Sequence, residues 1–307
     1  MLSLQLQNIL AELRDQRGFD AEACLQAKAD LINSYFRDNG LNAAVFGLSG
    51  GVDSAVVAAI LHHAHCQPGS PIRRVVALIV PICAIGSSGQ AAATDRAKEV
   101  AAALNIESWV CDMSTPQIMA RQALQDGADL RMSQWTCGQM LSVMRTPVFY
   151  GAAALLQQEG YRSLVVGTTN RDEGAYIGFF GKASDGMVDL QVLSDLHKSE
   201  VYDLAWLLRI PRFVINEKPR GDVWDGRTDE EMIGAPYDFL ELYQLMKCLP
   251  LDQSLHIVSC LDGPGLDEFI SWASAIEALH NVNAHKYRVG SPAIHLDVYE
   301  RSVPGGW

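Results

Sequence analysis

The sequence predicts an α/β fold, a Rossmann-like doubly wound parallel sheet with helices on both faces. Three observations predict it. Short apolar runs at 44–46, 75–80, 106–111 and 161–166 alternate with helical stretches, and runs without polar alternation suit strands covered on both faces. The turn Ser49-Gly50-Gly51 joins the first run to an alanine-rich helix, an arrangement in which backbone N–H groups and a helix N-terminus receive phosphate. Polar loops at 82–89 and 167–174 follow the second and fourth runs, and open α/β sheets bind ligands beyond the carboxyl ends of their strands.

Residues 3–15 and 20–38 read as two helices. In the second, Cys24, Leu25, Ala29, Leu31, Ile32 and Tyr35 recur at helical spacing. Asn39-Gly40 stops it. The first strand, the glycine turn and a helix ending in His62, His63 and His65 follow. Residues 62 and 63 do not share a helix face and no carboxylate is near in sequence, so these histidines read as a solvated helix end. A second strand, a helix at 90–104 and a third strand come next. Helices are expected at 115–126 and 138–159, the latter kinked or restarted at Thr146-Pro147. The fourth strand runs into Gly167-Thr168-Thr169-Asn170-Arg171-Asp172-Glu173-Gly174. Residues 179–189 read as a loop, 199–208 as a helix ending before Ile210-Pro211, and 216–227 as a polar stretch. Thr228 and Glu231 have capping-box spacing. Helices at 236–248 and 265–280 precede an irregular tail, 285–307. No repeat, low-complexity tract or linker divides the chain, so residues 1–307 read as a single domain.

Charge and cysteines narrow the function. The net charge is −12, from 36 acids against 24 Lys plus Arg, which argues against nucleic-acid binding through a broad basic face. A small anionic substrate held by a few focused cations remains open. Seven scattered cysteines without a Cys-x-x-Cys pair suit reduced thiols in a cytoplasmic enzyme. No signal-type apolar core or membrane-spanning run is present in the sequence.

The turn is not a Walker loop, since no Gly-Lys-Ser/Thr follows. The string Ser49-Gly50-Gly51-Val52-Asp53-Ser54 resembles the pyrophosphate (PP) loop of the N-type ATP pyrophosphatases. Further on, Gly167-Thr168, Glu173, Gly178-Phe179-Phe180, Lys182, Asp185-Gly186, Asp189-Leu190, Lys198, Ile210-Pro211, Lys218-Pro219, Asp222, Thr228-Asp229-Glu230, Tyr237 and His285-Lys286 follow one another as in the ammonia-dependent NAD synthetases. That resemblance implies an adenylating amidation. The carboxylate of deamido-NAD attacks the α-phosphate of ATP, pyrophosphate leaves, and ammonia converts the acyl-adenylate to NAD and AMP. It places Gly47, Leu48, Ser49, Gly50, Gly51, Val52, Asp53, Ser54, Thr168 and Lys198 on ATP. It places Asp53 and Glu173 on Mg²⁺. It places Arg145, Lys182, Asp189, His285 and Lys286 on deamido-NAD, and Asp185 and Lys198 at the chemistry. It also implies a homodimer.

Two departures stand out. The family commonly carries an arginine where this chain has Val143, and a small hydroxyl residue where it has Arg220. Valine cannot replace a guanidinium that binds through two bonds, so another PP-loop amide-forming ligase, acting on a different carboxylate, stays open. A tRNA-thiolating relative would bring a basic face and paired cysteines. A non-catalytic module would have lost Asp53, Glu173 or Lys198. No nucleophile-elbow cysteine marks a glutaminase, so free ammonia is the expected nitrogen donor.

Overall fold

The computed structural model describes residues 2–82, 89–221, 227–286 and 294–299. Helices α1 (Leu4–Arg17) and α2 (Ala21–Asp38) lead to strand β1 (Ala43–Gly47). Helix α3 (Val52–Cys66), β2 (Arg74–Ile79), α4 (Gly89–Ala103) and β3 (Glu107–Val110) complete the first half. Then come α5 (Ser114–Ala128), α6 (Gln134–Val143), α7 (Thr146–Gln158) and β4 (Ser163–Gly167). A π-helical turn, Asp172–Tyr176, precedes β5 (Leu190–Gln191), α8 (Lys198–Leu207) and α9 (Arg212–Ile215). Helices α10 (Asp229–Ile233), α11 (Tyr237–Cys248), α12 (Leu251–Ser259) and α13 (Gly263–Asn283) follow, and β6 (Ile294–His295) ends the described chain.

The strands form one sheet in the order β3-β2-β1-β4-β5-β6, with every neighbouring pair parallel. The chain winds outward from β1 to one edge, then returns past β1 to build the other half. β1 and β4 are therefore the switch point, where the loops leaving adjacent strands diverge and open a crevice. Ala44 and Phe46 of β1 face a core shared with α2, α3 and α8, while Ala43 and Val45 face one shared with α6 and α7. This alternation is the period-two pleat of a strand buried on both sides. A third core joins α1, α11 and α13 to Ala175, Tyr176 and Ile177 of the turn after β4.

Several sequence expectations take their final form here. Thr146-Pro147 restarts the helix: α6 ends at Val143 and α7 begins at Thr146 with proline in its first turn. Thr228 and Glu231 make the capping box, with Thr228 N donating to Glu231 Oε2 at 2.7 Å. His63 pairs with Gln67 and His65 with the Ile72 carbonyl. The sequence did not reveal β5, α12, the π-helical turn or β6. The last corrects the reading of an irregular tail for residues 294–295; residues 287–293 and 300–307 lie outside the described residues. So does much of the 82–89 loop.

Candidate active site

The crevice above β1 and β4 is a cleft of about 590 Å³, a volume in the range of small-molecule sites. Its floor is the turn after β1. Ser54 Oγ donates to the Gly51 carbonyl at 3.0 Å and accepts from Ser49 N at 3.2 Å, closing the loop on itself. Gly50 has φ +85°, and a Cβ there would lie 2.4 Å from the Ala93 carbonyl of α4. Only glycine lets the loop turn so sharply while packed against that helix.

Asp53, in the first turn of α3, does not cap its helix: the N-cap is Gly51 and makes no side-chain cap bond. Its carboxylate reaches across the switch point instead. Lys198 Nζ, on the first residue of α8, donates to Asp53 Oδ2 at 2.5 Å and to Glu173 Oε1 at 3.2 Å. Asn170 Nδ2 bridges the same two acids, 2.9 Å from Asp53 Oδ1 and 2.8 Å from Glu173 Oε1. Tyr237 OH donates to Glu173 Oε1 at 2.7 Å. One cation, one amide and one phenol thus fix two carboxylates side by side.

Burial sets the charge state of this cluster. It pushes the Glu173 carboxyl up to about 7, aided by Asp53 and Asp229 and opposed by Lys198. Burial works against the Lys198 charge, but Asp53 and Glu173 outweigh it and hold the pKa well above the ordinary lysine value. Burial also raises the Asp229 carboxyl behind them. Lys198 is positioned by its backbone: Lys198 N donates to Asp172 Oδ2 at 2.7 Å, and Asp172 Oδ1 pairs with His197 Nδ1 at 2.7 Å. Both side chains are wholly buried, which drives the carboxyl up, the imidazole down and both toward neutrality.

The profile of the NAD synthase family matches residues 24–289. The chain belongs to the NAD synthase family. Among its relatives, the NH(3)-dependent NAD(+) synthetase of Archaeoglobus fulgidus is 31% identical over 228 residues, covering 74% of this chain and 84% of the relative. Among solved structures, the NMN synthetase of Francisella tularensis superposes with a TM-score of 0.68 at 25% identity, covering 88% of this chain and 97% of that one. The NH3-dependent NAD synthetase of Campylobacter jejuni, at 21% identity and a TM-score of 0.63, shares the fold over 87% of this chain and 96% of its own.

The cleft gathers many of the residues singled out in the sequence. Gly47, Leu48, Ser49, Gly51, Val52, Asp53, Ser54, Thr168, Glu173 and Lys198 line it, as do Arg145, Asp185 and Lys286. Gly50 lies buried beneath the loop. Lys182, Asp189 and His285 do not line the cleft. Asp189 accepts from Val165 N at 2.7 Å and from Tyr150 OH at 3.2 Å, which ties the β5 approach to β4. Lys182 and His285 are exposed. Lys286 donates to the Gly178 and Phe180 carbonyls at 2.7 and 2.5 Å. Asp222 lies outside the described residues.

Asn170 and Tyr237 organise this cluster; the sequence reading named both, Tyr237 in the matched pattern and Asn170 in the loop after the fourth strand, but assigned neither a role. The Asn170–Glu173 spacing was a readable signal, because the asparagine side chain also accepts from Glu173 N at 3.0 Å, a local turn motif. The donor set suits a hard divalent cation, since Asp53 and Glu173 offer carboxylate oxygens on one wall of a phosphate-binding crevice. Among the described residues no group of three or more His, Cys, Asp or Glu could hold a metal ion. Two acids that share a metal with substrate phosphates fit magnesium's habit of keeping few protein ligands.

Proposed function

We propose that this chain amidates deamido-NAD to NAD with free ammonia, consuming ATP to AMP and pyrophosphate. The observation that carries this reading is the Lys198–Asp53–Glu173–Asn170 cluster set against the glycine turn at the switch point. The loop N–H groups and the α3 N-terminus receive the β- and γ-phosphates. Lys198 neutralises charge that builds as pyrophosphate departs. Asp53 and Glu173 would hold Mg²⁺, and the ion would supply charge neutralisation at the phosphates. Asp185 holds ammonium and takes its proton as ammonia attacks the acyl-adenylate, a role supported by its exposure at the cleft and by the bond from Gln191 Nε2 to its carbonyl at 3.0 Å. Arg145 and Lys286, which both line the cleft, supply cations for the deamido-NAD phosphates. Lys182, Asp189 and His285 belong to this assignment by resemblance alone.

Residues 1–307 act in this reading as one domain, since Tyr176 and Ile177, just past Glu173, are core residues of the helical layer. The chain works as a homodimer, supported by the apolar Ile118, Met119, Leu124, Trp135 and Leu155 exposed along α5 to α7. A cytoplasmic setting accords with six cysteines outside any disulfide among the described residues. No helix among the described residues is long and apolar enough to cross a membrane.

A second reading has a specific basis. The Francisella tularensis relative is an NMN synthetase, and Val143 stands where the family commonly has an arginine and does not line the cleft. A mononucleotide carboxylate is the alternative substrate. The deciding experiment follows amide formation from ATP, Mg²⁺ and ammonium chloride with deamido-NAD and, in parallel, deamido-NMN. Faster NAD formation supports the first reading, and NMN formation alone replaces it with the second.

A further inference from the structure

We propose that Arg96 and Arg220 are the cations that take the pyrophosphate half of ATP in this chain, with Glu217 holding both in place until phosphate displaces it. The inference rests on the ATP-dependent reading above and assigns residues inside the same cleft.

All three side chains line that cleft. Arg96, on α4, donates Nε to the Gly50 carbonyl at 3.2 Å. The tight packing of α4 on Gly50 fixes the helix against the loop and aims the guanidinium along it. Arg96 Nη1 lies 3.7 Å from Glu217 Oε2, and Arg220 Nη2 lies 3.0 Å from Glu217 Oε1. One carboxylate therefore sits between two guanidinium groups at the mouth of a phosphate loop. The three side chains are 19%, 29% and 40% exposed for Arg96, Glu217 and Arg220, so the bridge is open to exchange.

Charge decides who binds the leaving group. Lys198 shares its charge with two carboxylates, so the leaving group's full charge calls for cations beyond it. The Arg96–Glu217–Arg220 bridge has one spare positive charge, and it frees a second when Glu217 turns away. A guanidinium fork matches a phosphate's paired oxygens, where a carboxylate already occupies the same donors. The exchange is a swap of acceptors and involves no covalent step. It also gives Arg220 a role that a small hydroxyl at that position could not fill.

The test titrates inorganic pyrophosphate, with Mg²⁺, into the full-length chain and compares AMP as a ligand without the β- and γ-phosphates. Arg220→Ala and Arg96→Ala are each expected to weaken pyrophosphate about tenfold and to leave AMP within about twofold. Arg220→Lys should recover part of the loss, and Glu217→Gln should tighten pyrophosphate several-fold. Unchanged pyrophosphate affinity in both alanine variants overturns the inference, as does an equal loss of AMP and pyrophosphate. No tightening in Glu217→Gln overturns the placeholder role. If the unaltered chain makes NAD while the arginine variants keep their pyrophosphate affinity, only this inference falls. If pyrophosphate binding depends on the arginines but deamido-NAD is not amidated, only the functional reading falls.

Discussion

Lys198 is 4% exposed, and a buried ammonium is stable there only because two carboxylates face it. The same arrangement makes each acid dependent on its neighbours. Asp53→Ala or Glu173→Ala is expected to cut NAD formation by a thousandfold or more with the fold retained. Steady-state rates beside a thermal melt check this, and a near-normal rate in either variant would remove that acid from the metal-holding role. Asp185→Asn is expected to spare pyrophosphate release and slow amide formation. Equal slowing of both steps, followed by separate pyrophosphate and NAD assays, would rule out a role specific to ammonia. Asp53, Glu173 and Lys198 were legible because they recur within a long ordered pattern. Asn170 was not assigned a role, since a lone amide carries no periodicity and its two partners lie on different elements. Asp189 also carries a structural bond that the sequence did not show: its bond to Val165 N appears only once β4 and the β5 approach are side by side.

At the scale of elements, α11 and α13 are clasped by one acid. Glu277 Oε1 accepts from Tyr176 OH at 2.8 Å, Tyr243 OH at 2.5 Å and Lys247 Nζ at 2.9 Å. Burial works to raise its pKa, but the hydrogen bonds from Tyr243, Lys247 and Tyr176 prevail and hold it below the ordinary glutamate range. A carboxyl depressed in the folded state contributes stability above its unfolded pKa and loses it as pH falls through the folded value. Glu277→Gln should therefore melt earlier than the unaltered chain at neutral pH, and the gap should narrow below about pH 4. Thermal midpoints across pH test it, and a gap independent of pH would show that packing carries the effect. The long helices were readable from apolar spacing, and the central strands from unbroken apolar runs. β5 and β6 were not, because two residues hold no period. α12 was missed because Leu251 and Leu255 are exposed, so its apolar residues do not mark a core face.

Across the whole molecule, one ion pair joins parts distant in sequence. Lys28 of α2 and Asp195 before α8 are wholly buried and bonded to each other. Lys28 Nζ also donates to the Leu296 carbonyl at 2.8 Å, and Asp195 Oδ2 accepts from Val298 N and Tyr299 N. Lys28→Ala would leave an uncompensated buried carboxylate and should cost about 3–5 kcal/mol, read as a lower urea midpoint. The apolar double variant Lys28→Met with Asp195→Leu should recover part of it, and no recovery would assign the loss to the Asp195 backbone contacts. The parallel, doubly covered sheet was implicit in the strand–helix rhythm, but the closure at its far edge was not, because it depends on which buried acid meets which backbone amides.

That closure has a consequence for the chain's solubility. β6 covers the outer edge of β5 with residues beyond the family match, which stops at 289. A chain ending at 289 would bare the amide and carbonyl groups of β5, and the Lys28–Asp195 pair would lose its bonds to Leu296, Val298 and Tyr299. Such an edge templates pairing with other copies, so the shortened form should form aggregates that light scattering detects before any activity is lost. Residues 294–299 would then act as a chaperone carried by the chain itself.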